Sequence, residues 1–200
     1  MKLKPQNTYR HLLNFVANSP SRPILNGFHY TQDGDIEATN GYILLRLISA
    51  IDLRVDPLPD MVLHPKEMRE IQGTYPEVSR LFPSNIEATW LLAPEEAAKI
   101  AKFLKGFEKN SLVSVSVQDK SFHISNTVVS SDFQLADYVT GDSDDVSLTF
   151  NCTYLSYVMA FIADCSIGVT ELLVSSSLKP MIFKVEGLFQ GLIAPVRTMN

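Results

Sequence analysis

RPILNGFHYTQDGDIEATNGYILLR, residues 22–46, decides how this chain is read. Residues 23–30 are apolar enough to read as an extended strand. Gln32-Asp33-Gly34-Asp35 is turn chemistry, because Asp and Gly tolerate the backbone angles of a tight hairpin. Residues 36–39 are a short second strand, and Asn40-Gly41 is another tight-turn dipeptide. Residues 42–48 are nearly all apolar, so this third strand is expected to be buried on both faces. A meander this compact needs a helix on one face. Residues 8–18 supply it, with Asn7 or Thr8 as the cap and Tyr9, Leu12, Leu13 and Val16 in helical spacing. Ser19-Pro20 stops that helix.

Working outward, residues 1–6 read as a weak edge strand and residues 49–60, with Pro57 and Pro59, as a connection. Residues 61–64 read as a short strand, and residues 65–71 as a short helix with proline in its first turn. Beyond the linker Tyr75–Pro83 the pattern is fuller. Residues 86–92, 112–117, 121–125, 128–135, 146–150, 169–175, 181–185 and 187–196 read as strands. Helices are expected over 94–108 and 151–164. The first opens with Pro94 and two acids and has Ala97, Ile100, Ala101 and Leu104 on its apolar face. Asn151 caps the second, whose apolar row is Leu155, Val158, Met159 and Ile162. A helix followed by about four strands thus occurs twice.

The opening stretch resembles the bacterial DNA polymerase III β subunit family, the sliding clamps. Arg22–Gly27, a hairpin, and then Ala38-Thr39-Asn40-Gly41-Tyr42 stand where that family has RPVLNG and ATDGHRLA. Two further matches follow in order. Tyr75–Pro83 is similar to the family's FPDYRRVLP linker, and Leu192–Arg197 to its closing VMPMR. The resemblance implies an α+β DNA clamp (processivity-factor) fold, with helices packed on antiparallel sheets. Residues 1–84 would form a truncated clamp-like domain plus linker, and residues 85–200 a complete one. Roughly one quarter of the expected two-domain unit is missing between Ile71 and Thr74, judged by usual strand lengths.

The resemblance also implies a peptide groove made of Leu25, Thr39, Gly41, Tyr42, Ile43, Leu44, Pro76, Leu81, Ile193, Ala194, Pro195, Val196 and Arg197. Singly, Leu25, Ile43 and Leu44 read better as core. Tyr42-Ile43 replaces the family's His-Arg, and Met199 is placed to overlie the groove mouth. Its occupants would be short peptide motifs of DNA polymerase and other replication proteins.

Lys99, Lys102, Lys105 and Lys109 fall within an arc of about 120° if one helix carries them all. By pattern alone they are a solvated face opposite the core. The resemblance makes them, with Arg10, a surface for double-stranded DNA, contacted weakly and without sequence preference. Residues 151–165 hold no Lys or Arg, which departs from that expectation.

Charge and motifs set the remaining bounds. A net charge of −5 argues against an overall basic nucleic-acid binder, though not against a local stripe. The sequence lacks GxxxxGK, HExxH and GxSxG, so no enzyme, cofactor or metal is expected. His11, His29, His64 and His123 lie scattered, and each reads as solvated or hydrogen-bonded. Asp142, Asp144 and Asp145 read as a solvated turn rather than a cation loop. Cys152 and Cys165 are expected as buried thiols at the two ends of one helix, in a reducing cytoplasm. Neither a signal peptide nor a membrane span is expected. The function implied is a clamp-like replication processivity factor. The alternative is a non-encircling mimic, or decoy, that competes for clamp-binding peptides.

Overall fold

The computed structural model describes residues 5–51, 59–118, 120–140 and 146–197. The connection across residues 52–58, the aspartates of the 141–145 loop, and Met199 lie outside the described residues, as do residues 1–4 of the expected edge strand. Pro5 and Gln6 of that expected strand are helical instead. Helix α1 spans Pro5–Leu12, because proline's fixed φ suits a first helical turn. Thr8 is therefore inside the helix rather than its cap. The helix also ends earlier than the 8–18 expectation, tightening at its exit through Asn14 N–H to His11 C=O (2.9 Å) and Phe15 N–H to Leu12 C=O (2.9 Å).

Residues 23–26 are not strand but a single 3-10 turn, Pro23–Asn26. Proline starts it, and the Asn26 amide ties it to the backbone of Ser19, accepting at 3.0 Å and donating at 3.1 Å. The meander then follows as read: β1 Phe28–Tyr30, β2 Ile36–Thr39 and β3 Ile43–Leu47. β4, Met61–Leu63, pairs with β1. The helix expected over 65–71 is a turn. Met68 takes a left-handed φ of 52°, and the chain comes back along β4 through His64 N–H to Arg69 C=O (2.9 Å) and Ile71 N–H to Val62 C=O (2.8 Å).

After the linker come β5 Ala88–Leu92, helix α2 Pro94–Leu104, β6 Leu112–Gln118 and β7 Ser121–Ser125. The expected strand 128–135 is two strands in different sheets, β8 Ser130–Gln134 and β9 Asp137–Thr140. The switch occurs at Leu135 and Ala136, whose N–H groups bond Lys120 C=O and Leu91 C=O. β10 Leu148–Asn151 leads into helix α3, Cys152–Cys165. The Asn151 side chain caps α3 as read, accepting from Thr153 N–H (3.0 Å) and Tyr154 N–H (3.3 Å). β11 Thr170–Val174, β12 Met181–Val185 and β13 Phe189–Ile193 close the chain.

All the strand pairings among the described residues are antiparallel. One sheet has nine strands in the order β4-β1-β2-β3-β13-β12-β11-β5-β9; the other has four, β10-β6-β7-β8. The helices pack on the sheets, with α3 against both α1 and α2. Trp90, Phe15, Phe28, Phe122, Phe150, Phe161, Phe183 and Phe189 fill the shared core. Cys152 and Cys165 are buried free thiols at the two ends of α3.

The joint between the early meander and the late strands is β3 against β13, with Leu44 opposite Leu192 and Leu45 opposite Gly191. A Cβ at Gly191 would overlap the Phe183 ring and stand 2.5 Å from the Leu44 carbonyl oxygen. Only glycine lets the backbones come this close. Gly191→Ala is expected to cost about 1–3 kcal/mol, read as a lower urea midpoint with both sheets still formed by circular dichroism.

Candidate interaction site

Strand alternation sends β3 two ways. Ile43, Leu45 and Leu47 enter the main core, while Leu44 and Arg46 face the other side of the sheet. On β13, Leu192 shares that outer side. Two cross-strand rows result. Thr39, Leu44 and Leu192 form an apolar row, and His29, Glu37 and Arg46 a charged one.

The linker lies across both rows. Val78 covers Leu44 and Leu192 in a small buried cluster of its own, with Tyr75 and Phe82 packed beside it. Val78 opens a 3-10 turn, Val78–Leu81, capped by the Glu77 side chain. Over the charged row, Arg46 donates through Nε to Glu37 Oε1 at 2.6 Å and through Nη2 to Ser79 Oγ at 2.9 Å. Its guanidinium also sits 5.8 Å from the centre of the Phe82 ring. The Tyr75 ring stacks on His29 with centroids 4.3 Å apart. Burial first, and then the Glu37 charge, push the Tyr75 phenol well above its ordinary pKa.

Beside this seat is a pocket of about 1020 Å³. Ile24, Leu25, Tyr75, Pro76 and Val78 give it an apolar sector, and Arg22, His29, Asp33, Asp35, Glu37, Arg46, Asp60 and Glu77 a charged one.

The structure sends the residues named from sequence to different places. Leu25 and Pro76 line the pocket, and Leu44 lies beneath the linker. Ile43 and Ile193 are fully buried on the opposite face of the sheet, within the main core. Thr39 is buried, its hydroxyl donating to Ile43 C=O and accepting from Gly41 N–H. Gly41 holds φ at +92°, with the Arg22 guanidinium close by. Tyr42 is 60% exposed and stacks on Tyr154 of α3, centroids 5.6 Å apart. The last segment passes beside it, with Ala194 N–H bonding Tyr42 C=O and Val196 N–H bonding Thr149 C=O. Leu81, Val196 and Arg197 are exposed, and Pro195 is partly so.

Sequence reading missed His29, Glu37, Arg46, Tyr75 and Val78. The hairpin register carried the signal for the first three: once Asp33-Gly34 is the turn, His29 stands opposite Glu37, and Arg46 follows on the next strand.

The lysine face is narrower than the sequence implied. α2 ends at Leu104, Lys105 is its C-cap, and Lys109 lies beyond it in a turn, so one helical arc does not hold all four. Past the C-cap the chain tightens, Gly106 N–H bonding back to Phe103 C=O. Lys99 pairs with Glu96 at 2.6 Å, and Arg10 with Asp164 of α3 at 2.7 Å. No group of His, Cys, Asp and Glu side chains suited to a metal ion occurs among the described residues. No described helix is long and apolar enough to cross a membrane.

The Tyr75 hydroxyl is buried with no hydrogen bond of good geometry among the described residues, the Thr39 backbone being the polar group nearest to serving it. An orphan donor contributes nothing to offset its desolvation. Tyr75→Phe is therefore expected to leave the chemical-denaturation stability within about 0.5 kcal/mol of wild type, or to raise it.

No protein-family model matches the sequence, and no curated protein does. Solved structures do match in fold. The DNA polymerase sliding clamp of Bacillus subtilis is similar with a TM-score of 0.81 at 17% identity, over 97% of this chain and 62% of that one. The beta subunit from DNA polymerase of Streptococcus pyogenes gives 0.75 at 17%, over 98% and 65%. A sliding clamp from Bartonella birtlesii bound to griselimycin gives 0.73 at 16%, over 94% and 64%. The α+β clamp architecture expected from residues 22–46 is thus met, and this chain has the fold of the bacterial DNA polymerase sliding clamp, spanning 62–65% of the length of these three relatives.

Proposed function

We propose that this chain is a clamp-like element of DNA replication. It holds polymerase and other replication proteins through short peptides seated where the linker crosses the β3–β13 joint. The observation that carries this reading is the convergence of three distant segments. Leu25 and Pro76 line one pocket, Val78 of the same linker packs on Leu44 and Leu192, and Ala194–Arg197 runs on from that joint. An apolar sector held by proline and by a hydrogen-bonded turn is largely preformed, so little ordering entropy opposes a short ligand. The Bartonella clamp with griselimycin bound supports ligand capture by this fold. Leu81, Tyr42 and Val196 are exposed apolar surface outside the pocket lining, and the exposed Arg197 can meet a peptide carboxylate or carbonyl.

A fluorescent Gln-Leu-Phe-type peptide is expected to bind with a micromolar dissociation constant. Leu25→Trp, which fills the apolar sector, should weaken it at least about tenfold. Because Leu25 is 5% exposed, the larger ring also costs about 1–3 kcal/mol of stability, and circular dichroism checks that the fold is kept. Equal binding by the filled variant would place the peptide elsewhere.

Contact with double-stranded DNA is the second part of the reading, and here the decoy alternative has support. α3 carries no Lys or Arg, and Lys99 and Arg10 are engaged by Glu96 and Asp164. Exposed pairs of this kind are weak and exchange readily with phosphate. Binding to a duplex is expected to be sequence-independent and to fall steeply with salt. Changing Lys99, Lys102, Lys105 and Lys109 together to Glu should abolish it, measured by fluorescence anisotropy at two salt concentrations. Peptide binding with no duplex binding at low salt would favour the decoy.

A further inference from the structure

The charged row contains an arrangement that peptide capture by itself does not require. His29 presents both ring nitrogens to carboxylates: Nδ1 lies 2.8 Å from Glu37 Oε2 and Nε2 3.0 Å from Asp60 Oδ1. A neutral imidazole donates through one nitrogen only, and its other nitrogen would then face a carboxylate lone pair. Both bonds together require the imidazolium. Glu37, only 3% exposed, takes the Arg46 guanidinium on its other oxygen. The same two cations hold the linker, His29 by its stack on Tyr75 and Arg46 by its bond to Ser79 and its position over Phe82.

We propose that His29, Glu37 and Arg46 are positioning residues that fix the linker on the sheet, and that the proton on His29 sets how firmly the wall of the peptide site is held. The consequence for peptide affinity rests on the groove reading above; the control of the linker does not.

The groups facing His29 come from every element around it. Glu37 lies on β2, Asp60 precedes β4, and Tyr75 belongs to the linker. Arg46 on β3 acts through Glu37, with Asp35 4.0 Å from its Nε. Burial alone would lower the His29 pKa, but the hydrogen bonds and charges of Glu37 and Asp60 outweigh it and the net shift is upward. The sign follows. A raised folded-state pKa means that the His29 contribution is complete below its ordinary value of 6.5 and is lost as pH rises through the raised value. Loss of the proton removes one of two charged hydrogen bonds beneath Tyr75, and the linker loosens.

The test uses the whole chain in two measurements. NMR follows the His29 ring, the Tyr75 ring and the Val78 and Ser79 amides from about pH 5.5 to about pH 9, the span in which histidine titrates. The Tyr75 and linker signals should titrate together with His29, at the same midpoint. The fluorescent Gln-Leu-Phe-type peptide, titrated at the same pH values, should bind at least about fivefold more weakly at the alkaline end. His29→Phe keeps a ring under Tyr75 but cannot titrate, so its binding should be flat with pH and near the alkaline wild-type value. Arg46→Lys should restore part of the affinity that Arg46→Met loses. Linker signals that ignore the His29 titration overturn the proposal, and this arm needs no variant to fold. Linker signals that follow His29 beside a pH-independent affinity overturn its control of the site. If wild type binds no peptide at any pH while the linker still follows His29, the positioning stands and the groove reading fails.

Discussion

The pairing of β3 with β13 is the constraint on which the rest depends. These strands come from opposite ends of the chain, and their union makes one nine-stranded sheet from what would otherwise be a small meander and a larger half. Without the seam, the early strands β4-β1-β2-β3 would end on β3 as an open, apolar sheet edge. Joined at the seam, its inward residues Ile43, Leu45 and Leu47 enter the same core as Phe183 and Phe189. Gly191 lets the seam close, since any side chain there would meet both the Phe183 ring and the Leu44 carbonyl.

Closing the seam also creates the outer face. Leu44 and Leu192 come together only because β3 and β13 are neighbours, and an apolar pair on the second face of a sheet needs a cover. The linker supplies it through Val78, Tyr75 and Phe82. The charged row beside it meets a different demand. A carboxylate as buried as Glu37 is costly to desolvate unless its oxygens are fully used, and Arg46 and His29 use them. Apolar cover and ionic tether act on one short segment, so the position of the linker reports on both.

The inner, helical side is built for packing more than for charge. α3 lies against α1 and α2 and is buried along Leu155, Val158, Met159, Phe161 and Ile162. Tyr154, Ser156 and Tyr157 are half-buried, Tyr154 stacking with Tyr42 from the β2–β3 turn, and Asp164 is exposed. The cations of this side are on α2 and α1, and two of them already have carboxylate partners. Phosphate binding there would rely mainly on Lys102 and Lys105, which are exposed.

Sequence alone determined the elements whose cause is local. The hairpin at Asp33-Gly34, the Asn151 cap, Pro94 at the start of α2 and the alternation through β6 and β7 depend on near neighbours, and they stand as read. Local signals failed where a distant partner decides. Residues 128–135 divide between two sheets because Leu135 and Ala136 find acceptors on Lys120 and Leu91. Residues 65–71 turn back along β4 instead of forming a helix because β4 offers a backbone edge there. The site divides in the same way. Its segments were legible as short motifs, but which face each side chain takes was not. Ile43 and Leu44 are equally apolar, and strand register alone sends one to the core and the other beneath the linker. His29 looked like one of four scattered histidines, because a charge cluster drawn from three strands and a linker exists only once tertiary structure brings those elements together.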